Sequence, residues 1–220
     1  MTKKITALIL ALIMIISFSA CGQKDNADTE FGWGTYENGT YTNGFFDFSI
    51  DLPKDYIHLS PQEIIDMNTE PDENGVISPI NVNEIEDLSA EAIVHYVYSK
   101  KYETAPTAQF NPYINIFSEN MQFSNNLYNK EDYVENSINY TSMIFENGGV
   151  NVKVLPLEKP WFGERQFAKG SMEIEYDQFT MVQEMYALTK NNYTLVILIG
   201  YSNPEEKAEL YSYIESISIK

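Results

Sequence analysis

Apolar and polar residues alternate over one early stretch of the chain, which predicts a half-buried β-strand. The stretch follows an Asn-Gly pair, a sequence typical of hairpin turns. Its apolar positions are Phe46, Phe48, Ile50 and Leu52, its polar positions are Asp47, Ser49 and Asp51, and its turn pair is Asn43-Gly44. The pattern therefore predicts a hairpin that buries one face and leaves the other in water.

Six later segments are rich in β-branched and aromatic residues, which favour strands. They are "IVHYVYSKKY" (93–102), "YINIFSE" (113–119), "VNVKVLPLE" (150–158), "RQFAKGSMEIEYD" (165–177), "QFTMVQEMYALT" (178–189) and "YTLVILIGYS" (193–202). The last four are joined by short turns, so antiparallel pairing is expected. Within the last segment "TLVILIG" is apolar on both faces, which predicts a central strand covered on both sides.

Helix-start and helix-stop residues predict three helices. Ser60 with Glu63 forms the sequence of a capping box that starts a short helix. A longer helix spans about 130–146, where Asn147-Gly148-Gly149 ends it and the predicted buried stripe is Tyr133, Val134, Ile138, Thr141 and Ile144. The last opens at Asn203-Pro204, with Leu210, Tyr211, Ile214 and Ile217 facing inward. Residues 69–87 are turn-rich and give no clear assignment.

The N-terminal segment has the layout of a secretory signal, with Lys3 and Lys4 before fourteen mostly apolar residues. A bilayer-spanning helix needs about 20 apolar residues, so a permanent span is the weaker interpretation. The sequence "SACG" resembles the lipobox of bacterial lipoproteins, with Phe18 where an aliphatic residue is usual. This resemblance implies a signal peptide over 1–20 and acyl chains on Cys21; the alternative is a lone cysteine beside a conventional cleavage site.

Charge and cysteine content narrow the expected partners. The sequence has 14 basic and 32 acidic residues, and its net charge becomes −20 once Lys3 and Lys4 are removed with the signal. Such a surface repels phosphate backbones, so nucleic acid is not an expected partner. Attachment to the membrane would rest on the acyl chains of Cys21. Residues 21–39 are predicted to be a flexible tether, and residues 40–220 to form a single domain without a disulfide.

The order of these elements resembles a known family. "YTNGFFDFSIDLPKDY", "INIFSEN", "NKEDYVENSINY", "YTLVILIGYS" and the ending "YIESISI" are similar to the PsbP-like domains of small bacterial lipoproteins, whose fold is shared with the Mog family of Ran-binding proteins. The resemblance implies an α+β fold, with an antiparallel sheet flanked by helices in an α/β/α sandwich. It also implies an accessory or binding role, and no functional residue carries over.

Candidate chemistry is sparse in the sequence. His58 and His95 are 37 residues apart and lack metal-ligand spacing, so both are interpreted as ordinary structural residues. Glu173, Glu175 and Asp177 alternate with apolar residues and would share one strand face. They could form a weak cation site or an acid/base pair, and the favoured interpretation is a solvated face. Residues 70–75, "EPDENG", only partly match a calcium loop and are interpreted as an acidic turn. No cofactor is expected.

"KPWFGE" (159–164) places two large apolar residues, Trp161 and Phe162, in a predicted turn between strands. Turns lie at the surface, so these rings are a candidate interaction tip, although a Trp folded back over a sheet end is common.

Three functions remain open. The leading hypothesis is a non-catalytic binding or interaction module, anchored to the outer face of a bacterial cell membrane, whose partner is an unknown protein or envelope component. The second is a receptor lipoprotein for a solute or cation. The third is a carboxylate-dependent cell-wall hydrolase, which needs a cleft with convergent acids.

Overall fold

The computed structural model describes residues 31–60, 63–64, 93–104, 110–122 and 129–220. The described strands are β1 (Thr35–Glu37), β2 (Thr40–Asn43), β3 (Phe48–Asp51), β4 (Ile57–His58), β5 (Ile93–Lys100), β6 (Tyr113–Asn120), β7 (Asn151–Val154), β8 (Trp161–Phe162), β9 (Arg165–Gln166), β10 (Ala168–Glu175), β11 (Thr180–Lys190), β12 (Tyr193–Tyr201) and β13 (Ser218–Ile219). The helices that the described residues contain in full are α1 (Lys130–Asn147) and α2 (Pro204–Ile214), and residues 63–64 are also helical. Residues 70–75, the partial calcium-loop match, lie outside the described residues.

A seven-stranded antiparallel sheet forms the middle of the fold, in the order β4-β5-β6-β12-β11-β10-β7. The prediction of a central strand is confirmed, because β12 lies fourth of the seven. Leu195, Ile197 and Ile199 of β12 point to one apolar core, and Val196 points to the other. A strand buried on both faces needs apolar residues at successive positions, which accounts for the continuous run.

The predicted early hairpin is confirmed as β2 and β3, which pair from Thr40↔Asp51 to Asn43↔Phe48. The four alternating apolar residues are each at most 3% exposed (Phe46, Phe48, Ile50, Leu52). The side chain of Asn43 accepts hydrogen bonds from the backbone of Phe45 and Phe46, which holds the turn. β1, β2, β3 and β13 form a second sheet that the sequence did not predict.

Helix α1 matches the helix predicted at about 130–146, and its predicted stop residues are confirmed. The side chain of Asn129 accepts a hydrogen bond from the backbone of Asp132 at 2.9 Å. At the other end Gly149 has a φ of 82°, Gly149 N–H donates to Glu146 and Val150 N–H donates to Phe145, which is a Schellman motif. Helix α1 packs closely on β10, because a Cβ at Gly170 would approach Val134 to 2.5 Å.

The predicted stripe of α1 is wrong at its C-terminal end. Tyr133, Val134 and Ile138 are buried, but Ile144 is 52% exposed and Ser142 is buried in its place. Phe145 supplies the last apolar contact with the core. An α-helix turns 100° per residue, so residues spaced by three or four positions lie on one face. Positions 138, 142 and 145 have this spacing and face the sheet.

Helix α2 also follows its sequence signals. Asn203 caps it by accepting hydrogen bonds from Glu205 and Glu206, and Pro204 occupies the first turn. Leu210 and Ile214 are buried in the core that the small sheet shares with the large one. The helices thus lie on opposite faces of the large sheet, and the α+β sandwich is confirmed, with the small sheet added to the α2 layer.

Ordered structure begins before residue 40. β1 lies at Thr35–Glu37, and Phe31 and Trp33 pack against the core. Phe31 stacks on Tyr193 of the central strand with ring centroids 4.1 Å apart. Residues 31–39, expected in the tether, therefore belong to the folded region, while residues 21–30 lie outside the described part. No helix among the described residues is both long and apolar enough to cross a membrane.

Candidate functional site: an aromatic cleft and a buried glutamate network

The three acids proposed as a weak cation site do not converge. Glu173 is half-buried and pairs with Lys153 at 2.8 Å, whereas Glu175 and Asp177 are exposed. Asp177 also lies beyond the last residue of β10, so only Glu173 and Glu175 share the alternation of the strand. Within the described ranges, no group of three or more His, Cys, Asp or Glu side chains is placed to hold a metal ion.

Trp161 and Phe162, the predicted interaction tip, point to different environments. They form β8 of a two-stranded hairpin with β9, and Gly163 turns the chain with a φ of 55°. Trp161 is 64% exposed. Phe162 turns inward, with its ring edge-to-face on Phe167 at 5.2 Å and 6.0 Å from Tyr186. Successive residues of a strand face opposite sides, so only Trp161 is available to a partner.

We expect the two rings to respond differently to alanine substitution. Phe162→Ala should lower the free energy of unfolding by about 2–3 kcal/mol, because a half-buried phenyl ring loses its core contacts. Trp161→Ala should change it by less than about 0.5 kcal/mol, since an exposed side chain loses little. Urea unfolding of both variants measures the difference, and equal losses would contradict the inward position of Phe162.

The two histidines lie in different settings. His95 on β5 is within 3.2 Å of the Asn115 side chain and stacks obliquely on Phe117. His58 on β4 lies 2.6 Å from the hydroxyl of Ser99 and 5.5 Å, ring to ring, from Tyr36. Burial lowers the pKa of both histidines, with hydrogen bonds offsetting part of the effect. His58 therefore stays neutral at pH 7, and it borders a cleft.

This aromatic cleft opens between β1 and β2 of the small sheet and β4 and β5 of the large one. Its cavity is about 340 Å³, the size at which small-molecule sites begin. The described lining is Trp33, Gly34, Thr35, Tyr36, Tyr41, Leu52, His58, Leu59, Ile64, Tyr96, Val97 and Tyr98. The lining residues come from separate parts of the chain, at 33–41, 52–59, 64 and 96–98.

The rings of the aromatic cleft meet at different angles. Trp33 lies edge-to-face with Tyr96, at 6.4 Å and 87°, while Tyr96 is nearly parallel to Tyr41 at 6.0 Å. The hydroxyl of Tyr41 donates to the carbonyl of Trp33 at 2.9 Å, which fixes both residues. Burial raises the pKa of Tyr41 and of Tyr96, so both stay neutral. The cleft is thus a preformed, uncharged aromatic pocket with few polar groups.

A second arrangement surrounds Glu184, a buried acid on β11. Its carboxylate accepts hydrogen bonds from the hydroxyls of Tyr186 at 2.7 Å, Tyr201 at 3.0 Å and Tyr211 at 2.8 Å. The ammonium of Lys169 lies 3.3 Å from the same carboxylate. Glu184 is 3% exposed and Lys169 8% exposed. We call these five residues the glutamate network.

The glutamate network is internally satisfied. Lys169 also donates to Glu158 at 3.0 Å and to the Tyr211 hydroxyl at 3.1 Å. Burial alone lowers the pKa of Lys169, but Tyr211, Glu184 and Glu158 together outweigh it and raise that pKa. A more polar cavity of about 370 Å³ borders the network. Both oxygens of Glu184 are already occupied, so its evident role is to join α2, which carries Tyr211, to the sheet.

Neither arrangement was predicted from the sequence, although each left a signal. Phe31, Trp33 and Tyr36 are large aromatic residues inside a segment assigned to a tether, and a tether has no use for them. Glu184 occupies the strand face on which Val182, Tyr186 and Leu188 are apolar. An acid within an apolar period of two indicates a buried carboxylate that requires partners.

No protein-family model and no curated protein matches the chain. Among solved structures the chain is similar to a protein of Bacteroides thetaiotaomicron, with a TM-score of 0.40 and 10% identity. The match covers 83% of this chain and 48% of that one, so this chain spans about half the length of that protein. It is similar to PsbP of the cyanobacterium Synechocystis, with a TM-score of 0.45 and 9% identity over 93% and 99%. It is also similar to LpqN of Mycobacterium tuberculosis, described as involved in cell envelope biogenesis, with a TM-score of 0.41 and 9% identity over 78% and 82%.

A PsbP thus stands among the structures that the chain is similar to, in agreement with the sequence resemblance. At these identities and TM-scores the likenesses carry no argument about a ligand or an activity. The argument for function rests on the geometry of this chain.

Proposed function

We propose that this protein is a non-catalytic binding protein, anchored by acyl chains on Cys21 to the outer face of a bacterial membrane, and that it holds a small, largely apolar ligand in the aromatic cleft. The observation that carries the proposal is the cleft itself, about 340 Å³ in volume and lined by Trp33, Tyr36, Tyr41, Tyr96 and Tyr98. Preformed apolar cavities with a few polar groups are the usual sites for small ligands.

The position of the aromatic cleft along the chain supports this proposal. Trp33 follows Cys21 by twelve residues, which span at most about 40 Å when fully extended. A ligand in the cleft would therefore be held close to the membrane surface. This arrangement joins the first two sequence hypotheses, a binding module and a solute receptor.

The hydrolase hypothesis receives less support from the described acids. Such an enzyme needs two carboxylates free to act on a substrate. Glu173 is paired with Lys153, and Glu184 accepts three tyrosine hydroxyls. A binding role is therefore favoured over a catalytic one.

We expect Cys21→Ala to abolish anchoring by acyl chains. The wild-type protein should incorporate labelled palmitate and remain in the membrane fraction, because two or more acyl chains hold a protein stably on a bilayer. The variant should lose the label and either be released or keep its signal segment. Ser17→Ala, a change within the same segment, serves as the control. A variant without Cys21 that stays membrane-bound and fully processed would contradict the anchor.

The ligand proposal is tested with the soluble chain from residue 22 onward, which contains both described cores. The sequence has two tryptophans, so Trp161→Phe leaves Trp33 in the cleft as the single reporter. We expect the neutral apolar fluorophore N-phenyl-1-naphthylamine to quench Trp33 emission saturably. Tyr36→Ala should weaken binding at least about fivefold, since it removes a ring that lines the cleft.

Tyr140→Ala is the matched control, because Tyr36 is 51% exposed and Tyr140 on α1 is 63% exposed. Both variants should unfold at nearly the same urea concentration as the parent. Absence of saturable quenching, or equal binding by the two variants, would refute a ligand site at the cleft.

A further inference from the structure

The described lining of the aromatic cleft contains no charged side chain. Five aromatic rings contribute to it, and His58 at its border is neutral at pH 7. Aromatic rings carry negative charge on their faces and positive charge at their edges. Trp33 and Tyr96 meet at 87°, and Tyr41 and Tyr96 lie nearly parallel, so the rings that line the cleft have more than one orientation. Clusters of aromatic rings form the cages that bind ammonium groups.

Two acidic residues are adjacent in sequence to residues that line the cleft. Glu37 succeeds Tyr36, and Glu63 precedes Ile64, both next to residues that line the cleft. Glu63 is held by Ser60, whose backbone N–H and hydroxyl each donate to its carboxylate at 2.7 Å, and these hydrogen bonds lower its pKa. Lys100 is the basic residue whose charge acts on Glu63, and its ammonium donates to the backbone carbonyl of Glu103.

The net negative charge of the protein also favours a cation at the cleft. A net charge of −20 in the chain that follows the signal concentrates cations and repels anions around a cleft with low-dielectric walls. Both the electrostatic field of the protein and the negative faces of the rings would repel an anionic ligand and weaken its binding. A neutral ligand would gain only from apolar contact.

From the rings, the uncharged lining and this charge complementarity, we infer that the ligand of the aromatic cleft is an organic cation, with an ammonium nitrogen carried on an apolar or methylated group. The inference rests on the proposed binding function of the cleft and names the chemical class of its ligand. The ring faces would stabilise the cation, and the apolar walls would cover its methyl groups.

The test compares two ligands of the same shape. Choline carries a trimethylammonium group, and 3,3-dimethyl-1-butanol replaces its charged nitrogen by carbon. Each is titrated into the Trp161→Phe chain, with Trp33 emission and saturation-transfer NMR of the ligand methyl groups as parallel measurements. We expect choline to bind roughly tenfold more tightly than its neutral analogue, and added salt to weaken choline alone.

Tyr36→Leu distinguishes the attraction of the aromatic ring for a cation from the apolar contact that the side chain provides. This variant keeps an apolar side chain but removes the aromatic face, so choline should bind several-fold more weakly while the neutral analogue is unaffected. Tyr140→Leu on α1 is the control and should change neither affinity. Selectivity for choline that disappears in Tyr36→Leu supports the inference.

The remaining outcomes separate this inference from the proposed function. Equal affinity for choline and its neutral analogue would overturn the inference that the ligand is a cation. Saturable binding of N-phenyl-1-naphthylamine in the same experiment would still support the proposal that the cleft is a ligand site. Choline binding that Tyr36→Leu leaves unchanged also overturns the inference, because the cation would then lie elsewhere. Failure of all three probes to bind overturns both proposals.

Discussion

Replacing Glu184 by glutamine is expected to lower the free energy of unfolding by about 3–5 kcal/mol, the effect of removing one partner from a buried ion pair. The substitution leaves the Lys169 ammonium beside a neutral amide, although both residues are less than 10% exposed. It also places an amide N–H among tyrosine hydroxyls that donate to a carboxylate in the native protein. Urea unfolding followed by circular dichroism measures the loss.

Two further variants identify the cause. Glu175→Gln makes the same chemical change on the neighbouring strand at an exposed position, and it should change stability by less than about 0.5 kcal/mol. Replacing the pair together, Lys169→Met with Glu184→Leu, should recover only the part of the loss that comes from the unpaired Lys169 ammonium. The three tyrosine hydroxyls still lose their carboxylate acceptor in this variant, which keeps part of the cost. If Glu184→Gln were as stable as Glu175→Gln, the glutamate network would contribute nothing to stability.

The second large effect is expected at alkaline pH, because many tyrosines have raised pKa values. Burial is the main cause, with Glu184 adding to it at Tyr186 and Tyr201. The affected residues are Tyr41, Tyr56, Tyr96, Tyr98, Tyr113, Tyr133, Tyr186, Tyr201 and Tyr213. In the unfolded chain each would ionise near its ordinary pKa of about 10.

The direction of the effect follows from proton binding. A group whose pKa is raised by folding keeps its proton longer in the native state, so its contribution is complete below about pH 10 and is lost as the pH rises further. Lys169 acts in the same direction, since its pKa is also raised. Each such tyrosine lowers stability by on the order of 1 kcal/mol per pH unit above 10. Several together approach the whole stability of a domain, about 5–15 kcal/mol.

We therefore expect cooperative unfolding within about one to two pH units above pH 10. Tyrosinate absorbance and far-ultraviolet circular dichroism should change together at this transition. Tyr140→Phe, at a 63% exposed position, should leave the unfolding midpoint unchanged. Ionisation of most tyrosines with the secondary structure intact would contradict their burial.

Local signals in the sequence predicted most of the elements correctly. The cap Asn203 accepts from backbone groups two and three residues away. The capping box of Ser60 and Glu63 closes through two bonds that involve backbone N–H groups and one between the two side chains. The hairpin of β2 and β3 depends on its own turn and alternation. These features could be predicted because the interacting atoms belong to neighbouring residues.

Errors arose where the contacts are distant in sequence. Ile144 fits an apolar helical stripe, yet it lies outside the contact with the sheet and is 52% exposed. Residues 31–39 are polar and glycine-rich on average, yet Phe31 packs on Tyr193, more than 160 positions away. Phe162 and Trp161 are adjacent in the sequence and differ only in which side of β8 each occupies. Composition and period do not encode such choices.

The sequence by itself determined the kind and order of most elements, the central strand and the acidic charge, because these depend on local propensity, alternation and residue counts. Only the tertiary structure decided where the candidate sites lie. The aromatic cleft joins Trp33 to Tyr96, and the glutamate network joins Glu184 to Tyr211. The partners in each pair are separated by 27 or more positions in the sequence. Sheet register and the docking of α2 bring them together. A site built between elements exists only once those elements have packed.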